Sequence, residues 1–452
     1  MFKRIISVCL ITVISVACIS ACAPKQPPIF DDDDDSVNFL GAAFTVFSKD
    51  EWLNEKRKRG STASGDRFLD RIDEIEKNYN VKIRNEYGNL ENKILTMTLN
   101  GGGGVDMLYC NDDILYRFYE LGILTPFDEI GVKDNKSEKF GIPSLLVQGT
   151  FDGTQYGIIN YLGDGVPGLN GFISINMNML GELAMTDPHE FDEKGEWNWN
   201  NLRAVLKQGT VTEGDENHVG MLCSPPMLGA KAFFSAIIAN GGYIIKEIDG
   251  VFKSGLCDSN AIEAMEYMTG LVSDGLITAT TGGTNWDLWV VGKIWPLLLD
   301  GGSGQTEEIT YSIVRFPYGP NGNPDIVAAY SYSRSYYAFT ILSGFENYEI
   351  GIIVDDLFEP LDPDLYAEGW KDYSQENLFY SNRDFETYMT GLETINYYPL
   401  GVLFGSNQWS NDEPISQAMD DILSGKSSAQ ATMDSISDIL KDVINEKLNG
   451  IK

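Results

Sequence analysis

Apolar and polar positions alternate most clearly from Phe172 to Met177, where Phe172, Ser174 and Asn176 face away from Ile173, Ile175 and Met177. β-Branched residues fall on one face, which predicts a strand. Asn178 then stands where an N-cap would start a short helix ending near Gly181, and Trp197–Asn201 opens another after Pro188. Upstream, residues 37–43 form the first predicted strand, with 44–48 running on from its end. Residues 65–79 place Phe68, Leu69, Ile72 and Ile75 on one face, the pattern of an amphipathic helix. A strand at 81–85, a helix at 90–100 stopped by Gly101–Gly104 and a short buried strand at 105–109 follow. This β-α-β-α-β order predicts a parallel sheet with crossover helices.

Beyond the Trp199 helix the pattern gives a strand at 219–223, a helix at 230–240 and a strand edge at 243–245. Asp258-Ser259-Asn260 caps a helix over 261–274, with Met265, Met268 and Leu271 in the core. A helix is predicted at 343–358, and two more within 415–444, separated by Gly425-Lys426. The Gly-rich run between Ile159 and Gly171 has two readings: a buried strand inside one domain follows it, or the chain crosses there between two lobes.

The amino terminus changes the picture. Lys3 and Arg4 precede an apolar stretch from Ile5 to Ala17, and Ile19-Ser20-Ala21-Cys22 matches a lipoprotein cleavage box, with the Cys22 thiol available for a lipid. An uncleaved membrane anchor is the alternative, since the uncharged run approaches the ~20 residues that span a bilayer. Residues 23–36, with Pro24, Pro27, Pro28 and the run Asp31–Asp35, form a solvated tether. Cleavage leaves roughly 430 residues, more than one core usually supports, so two lobes are predicted.

The chain has 33 Lys and Arg against 66 Asp and Glu, a net charge of -33. That excludes nucleic acid and anionic lipid as partners, which call for basic patches. Beside Cys9, Cys18 and Cys22, only Cys110, Cys223 and Cys257 remain, so at most one bridge can form. His189 and His218 are the only histidines, both placed in polar loops, and no metal or cofactor motif is present. The Gly101–Gly104 run lacks the Lys-Ser/Thr of a phosphate loop and follows a helix, so it is read as a flexible C-cap.

Tyr156-Gly157-Ile158, Phe172–Leu180, Asp187-Pro188 and Gly195–Leu202, taken together, resemble the segment of family 1 extracellular solute-binding proteins, the sugar receptors of ABC transporters, that makes the first crossing between lobes. Asn176 or Asn178 stands for the family's Tyr-Asn pair, and Ile159 for its usual proline. Gly104–Tyr109 with Leu121–Phe127, Asp258–Ile277, Trp289–Pro296 and Arg315–Pro320 extend the resemblance over most of the mature chain.

It implies a two-lobed, periplasmic-binding-protein-like α/β fold, each lobe a mainly parallel sheet flanked by helices. Residues 1–21 would be the signal peptide, 22–36 the anchor and tether, 37–165 and 316–360 lobe 1, and 166–315 and 361–452 lobe 2. It further implies a monomeric, lipid-anchored receptor outside the cytoplasmic membrane that passes a carbohydrate to ABC permease subunits. By position, Asp112 and Asp113 beside Asn111, with Asn160, Tyr161, Trp286, Trp289, Asp300, Tyr330, Tyr332 and Trp409, would line the cleft. Trp295 joins them as a candidate aromatic.

Asn111–Asp113 read equally well as the N-cap of a helix over 114–121. A secreted glycosidase with paired carboxylates is the enzymatic alternative, though no nucleophile elbow, His-Glu-x-x-His or Cys/His set appears. A ferric-iron receptor is suggested only by Tyr336-Tyr337, and adjacent strand residues face opposite ways.

Overall fold

The computed structural model describes residues 37–48, 58–61, 63–100, 103–159, 169–210, 220–223, 228–279, 289–294, 310–332, 335–361, 370–377, 379–398 and 414–449. The signal segment, Cys22 and the tether lie outside the described residues.

The amino-terminal half begins with β1 (Ala42–Ser48), α1 (Ala63–Tyr79), β2 (Val81–Tyr87), α2 (Leu90–Asn100), β3 (Met107–Asn111), α3 (Asp112–Glu120) and β4 (Leu124–Thr125). β1 pairs in parallel with both β2 and β3. The first strand starts later than the pattern predicts. Leu40 and Gly41 adopt positive φ, and Gly41 N–H donates to Asn80 O at 2.6 Å, so residues 37–41 form a turn against the end of α1. β3 also starts two residues later than predicted, just after Asp106, whose backbone N–H donates to Thr45 O at 3.0 Å. The buried Asp106 carboxylate accepts from Thr45 N–H (2.7 Å), Ser343 Oγ–H (2.7 Å) and Gly344 N–H (2.9 Å).

After α4 (Pro143–Leu146) comes a two-stranded hairpin, β5 (Thr150–Phe151) and β6 (Thr154–Gln155), turned by Asp152-Gly153 at positive φ. β7 (Leu169–Asn176) then enters a second sheet and is almost wholly buried. Asn176, not Asn178, caps α5 (Met177–Glu182): its Oδ1 accepts from Asn178 N–H and Met179 N–H, while the Asn178 side chain accepts from Thr310 N–H. α6 (Pro188–Glu193) and α7 (Trp199–Gly209) follow, the latter capped by Asn198.

The chain continues through β8 (Met221–Cys223), α8 (Leu228–Ala239), the hairpin β9 (Ile245–Ile248) and β10 (Val251–Ser254), α9 (Ser259–Ser273), β11 (Ile277–Ala279), β12 (Trp289–Ile294), β13 (Tyr311–Arg315) and β14 (Tyr330–Tyr332). β15 (Ser335–Thr340) rejoins the first sheet and leads into α10 (Asn347–Leu357). Last come α11 (Trp370–Asn377), α12 (Asn382–Glu393), β16 (Asn396–Tyr398), α13 (Pro414–Leu423) and α14 (Ala429–Ile444).

The first sheet has the order β2-β1-β3-β15-β4 and the second β11-β8-β12-β7-β14-β16, with β13 also pairing β7. Both are mixed. β15 runs antiparallel to β3 and β4, and β7 runs antiparallel to β12, β13 and β14. The two sheets with their flanking helices form the two lobes. Tyr330 still pairs with Asn170, so the chain leaves the second sheet between Tyr332 and Ser335 rather than near Arg315.

The described residues form three apolar clusters. Met265, Met268 and Leu271 are fully buried in the second lobe's core, as α9's spacing predicts. Tyr336 and Tyr337 both lie under 4% exposed but belong to different clusters, on opposite faces of β15. Such core rings, Tyr336 with its hydroxyl donated to Leu145 O, do not form an iron site. The middle cluster joins the sheets, packing Leu108 and Tyr336 with Phe172, Ile313 and Leu392.

Candidate functional site

β1, β2 and β3 run parallel and end at Ser48, Tyr87 and Asn111; β15 starts at the same edge, with Ser335 opposite Asn111. In the second lobe, β8, β11 and β12 run parallel and end at Cys223, Ala279 and Ile294. The antiparallel β7 starts at that edge with Leu169 and Asn170. Only residues 333 and 334 separate β14 from β15. Three Cα steps cover at most about 11 Å, so this link brings the two edges close together. Ligands of α/β sheets sit beyond the carboxyl ends of strands, and both sheets direct those ends to this junction.

The first crossing hugs the same place. Ile158 exchanges two 2.8 Å backbone hydrogen bonds with Tyr337. Gly157 packs so closely that a Cβ there would lie 2.6 Å from Leu115 and 2.9 Å from Tyr336. On the other side of the crossing, Gly171 has φ +101°, and a Cβ would lie 2.1 Å from Ala328 O. The chain can pass the backbone of residues 328 and 329 at that point only as glycine.

Polar side chains gather at the junction. Asn111 occupies the N-cap position of α3 yet makes no side-chain cap hydrogen bond. Its Oδ1 accepts from Ser335 Oγ–H at 3.2 Å instead. Asp112 begins the helix and is 4% exposed, at the end where the helix dipole favours a carboxylate. Asn170, 2% exposed, donates Nδ2–H to Tyr330 O at 3.4 Å, and its Oδ1 has no hydrogen-bond partner among the described residues. Amide and carboxylate oxygens held this way can accept hydrogen bonds from hydroxyl groups. Among the described residues no group of three His, Cys, Asp or Glu could hold a metal ion.

The sequence candidates scatter. Asp112 lies at the junction, and Asp113 lies in the first turn of the same helix. Trp289 starts β12 opposite Ile175, at the end of the strand away from the junction. Tyr332 pairs with Tyr398 at the end of β14. Tyr330 is a correction: its ring is 1% exposed, packed edge-on to Phe234 with centroids 6.1 Å apart. It is a core residue, with no face open to a ligand. Asn160, Tyr161, Trp286, Trp295, Asp300 and Trp409 fall outside the described residues.

Two groups escaped the sequence reading. Asn170 could have been noticed as a lone amide opening an apolar strand. Tyr116, Tyr119, Phe151 and Tyr156 form one aromatic cluster beside the crossing; the i, i+3 pair on α3 was its only local sign.

His189 is a second correction. It is 2% exposed, not in a polar loop, and lies on α6. Nδ1 sits 2.6 Å from Asp187 Oδ1, and Nε2 sits 3.0 Å from Ile313 O and 3.1 Å from Ser312 Oγ. Ser312 Oγ–H donates to Asp384 Oδ1 at 2.6 Å. Ser, His and Asp thus meet, but inside the packing of α6, β13 and α12, where no substrate reaches the Ser312 hydroxyl. Burial by itself would raise the Asp187 carboxyl, yet the hydrogen bonds from the His189 ring and backbone outweigh it and hold it below the usual carboxylate range. Cys257 is a free, half-buried thiol, pushed up by burial and by Asp434 and Asp258.

No protein-family model matches the sequence, and no curated protein matches it. Solved structures do. The sugar-binding protein MalE from Xanthomonas citri superposes with a TM-score of 0.61 at 12% identity, over 89% of this chain and 98% of that one. An ABC substrate-binding protein from Listeria monocytogenes, in complex with cycloalternan, gives 0.57 at 15% identity, over 90% and 99%. UgpB from Mycobacterium tuberculosis, in complex with glycerophosphocholine, gives 0.57 at 14% identity, over 90% and 99%. At these identities the likeness is one of fold: the chain has the two-lobed architecture of ABC substrate-binding proteins over about nine-tenths of its length.

Proposed function

We propose that this chain is a family 1 extracellular solute-binding protein, which captures a carbohydrate, an oligosaccharide, between its lobes and delivers it to an ABC importer. The observation that carries this reading is the extent of the likeness. About nine-tenths of the chain superposes on almost the whole of several binding proteins, most of them named for sugars. The junction supplies the matching chemistry, with Asn111, Asp112 and Asn170 as acceptors for hydroxyl groups. Asp113, Asn160, Tyr161, Trp286, Asp300, Tyr332 and Trp409 complete the proposed contacts; Tyr330 and Trp289, which starts β12 at the far end from the junction, do not join them. Binding without turnover suits a fold shared with receptors. The Cys22 box fits a lipid anchor facing outward, and the body acts as a monomer.

A thermal-shift screen against neutral oligosaccharides tests the proposal. A ligand that binds only the folded protein stabilises it by about 2.7 kcal/mol at one hundred times its dissociation constant. The expected result is one class of sugar that raises the melting temperature and is recovered intact. Recovery of hydrolysed sugar would establish an enzyme instead. A flat response to every sugar would overturn the sugar reading.

A further inference from the structure

The hydrogen bonds around His189 determine its charge. Asp187 Oδ1 lies 2.6 Å from Nδ1, and a carboxylate only accepts, so Nδ1 carries a proton. Nε2 lies 3.0 Å from Ile313 O, and a carbonyl also only accepts, so Nε2 carries a proton too. Its second neighbour, Ser312 Oγ at 3.1 Å, agrees. The one Ser312 hydroxyl proton goes to Asp384 Oδ1 at 2.6 Å, which leaves only lone pairs for the ring. A neutral ring, with Asp384 protonated and Ser312 donating to Nε2, would set the Nε2 lone pair against Ile313 O with no proton between them.

Two carboxylates balance the ring. Besides Asp187, Asp384 Oδ1 stands 3.9 Å from Nε2, and the His189 and Asp384 side chains are each 2% exposed. Asp384 Oδ2 has no hydrogen-bond partner among the described residues, so this buried charge depends on the ring. Nearby charges are engaged elsewhere: Arg383 on α12 with Glu193 on α6, Arg315 on β13 with Asp192, Glu190 with Lys194, and Arg203 on α7 with Asp274.

The cluster also ties three elements. α6 carries the ring, β13 supplies Ser312 and Ile313, and Asp384 in the first turn of α12 accepts from Ile313 N–H at 3.1 Å. From there α12 runs to the seam between the lobes. Its Tyr388 and Leu392 enter the middle cluster, a Cβ on Gly391 would lie 2.5 Å from Phe172, and the helix packs on α4 of the first lobe.

We propose that His189 is an imidazolium and that its second proton is a latch: while present it holds the first turn of α12 on β13, and its loss as pH rises frees that turn and loosens the seam. Loss of either ring proton sets a lone pair against a fixed acceptor and strips two carboxylates of their counter-charge, so the break falls here and not farther along α12. The latch works whatever the cleft binds.

Nitrogen-15 NMR on the mature protein, labelled in histidine, tests the charge. The chain has two histidines, and His218→Gln tells their signals apart. At about pH 7 both ring nitrogens of His189 should show the protonated shift; one bare nitrogen overturns the proposal. The pH is then raised until the second proton leaves. Over that step, hydrogen exchange at Phe385 to Tyr388, corrected for intrinsic rates, should quicken about tenfold or more, the worth of one charged hydrogen bond, while α9 changes less. His189→Gln, which bears no charge, should exchange fast throughout. Should it fold poorly, Asp384→Asn gives a second reading: its amide oxygen still accepts from Ser312 and Ile313, but the ring, with one carboxylate gone, should lose its second proton at lower pH than in the parent. A ring that keeps both protons until global unfolding, or loses one with α12 exchange unchanged, or titrates identically in Asp384→Asn, overturns the latch.

Discussion

Replacing Gly171 by alanine probes the seam between β7 and β14. Two penalties arise there and can be separated. The first is conformational: φ of +101° lies where side chains are strained, at a cost of roughly 1–3 kcal/mol. The second is steric. The new Cβ would lie 2.1 Å from Ala328 O and 2.8 Å from Ala329 Cα, and both are backbone atoms that cannot rotate away. Overpacking of this kind costs about 1–3 kcal/mol. Gly425, between α13 and α14, isolates the first penalty: its φ is +73° and nothing lies within 4 Å of a Cβ. Gly425→Ala should therefore lose only strain, about 1–2 kcal/mol, while Gly171→Ala should lose roughly 2–6 kcal/mol. Urea unfolding followed by tryptophan fluorescence measures both. Equal midpoints for the two variants would refute the steric argument, and with it the close approach of β7 to residues 328 and 329.

Three further expectations can be checked together. Asp187→Asn should flatten the acid limb of the stability curve. Its folded carboxyl lies below its ordinary value of 3.8, so its stabilisation is complete above that value and is lost as pH falls through the folded one, as melts between about pH 2 and pH 5 should show. Asp106→Ala should cost about 3 kcal/mol or more, because three donors lose a buried charged acceptor; urea titration reads it. In the native protein Cys110, 3% exposed, should resist thiol reagents and Cys257 should react slowly, both becoming fast in urea.

Elements set by local pattern were legible. α2 matches its predicted limits, α9 buries the predicted methionines, and the two carboxyl-terminal helices fall where Gly425-Lys426 divides them. What failed depended on contacts remote in sequence. Asn178 looked like a cap until β7 ran through to Asn176, leaving Asn178 to Thr310. His189 looked solvated because its neighbours are polar, and Ser312 and Asp384, which enclose it, lie more than a hundred residues away. Tyr330 was placed in the cleft by its position in the resemblance, but its ring is 1% exposed and packs edge-on to Phe234. At the site, the position of Asp112 after β3 was legible from strand order. Asn170 and the aromatic cluster were not, since neither belongs to a spacing rule.

The placement of β15 also bears on how the molecule is made. Among the described residues β4 reaches the first sheet only through β15, and α10 packs on α1, so the lobe that begins near residue 42 cannot close until residues 335–357 have arrived. The second core in turn needs Ile415 through Leu448. Neither half can finish folding as an independent amino-terminal unit. The open edge of β3, a template for wrong strand pairing, must wait for a partner more than two hundred residues downstream. A newly made chain should thus stay incompletely folded until nearly all of it is present. That delay is a liability in a crowded compartment, and an advantage for a polypeptide that has to be threaded through a membrane before it folds.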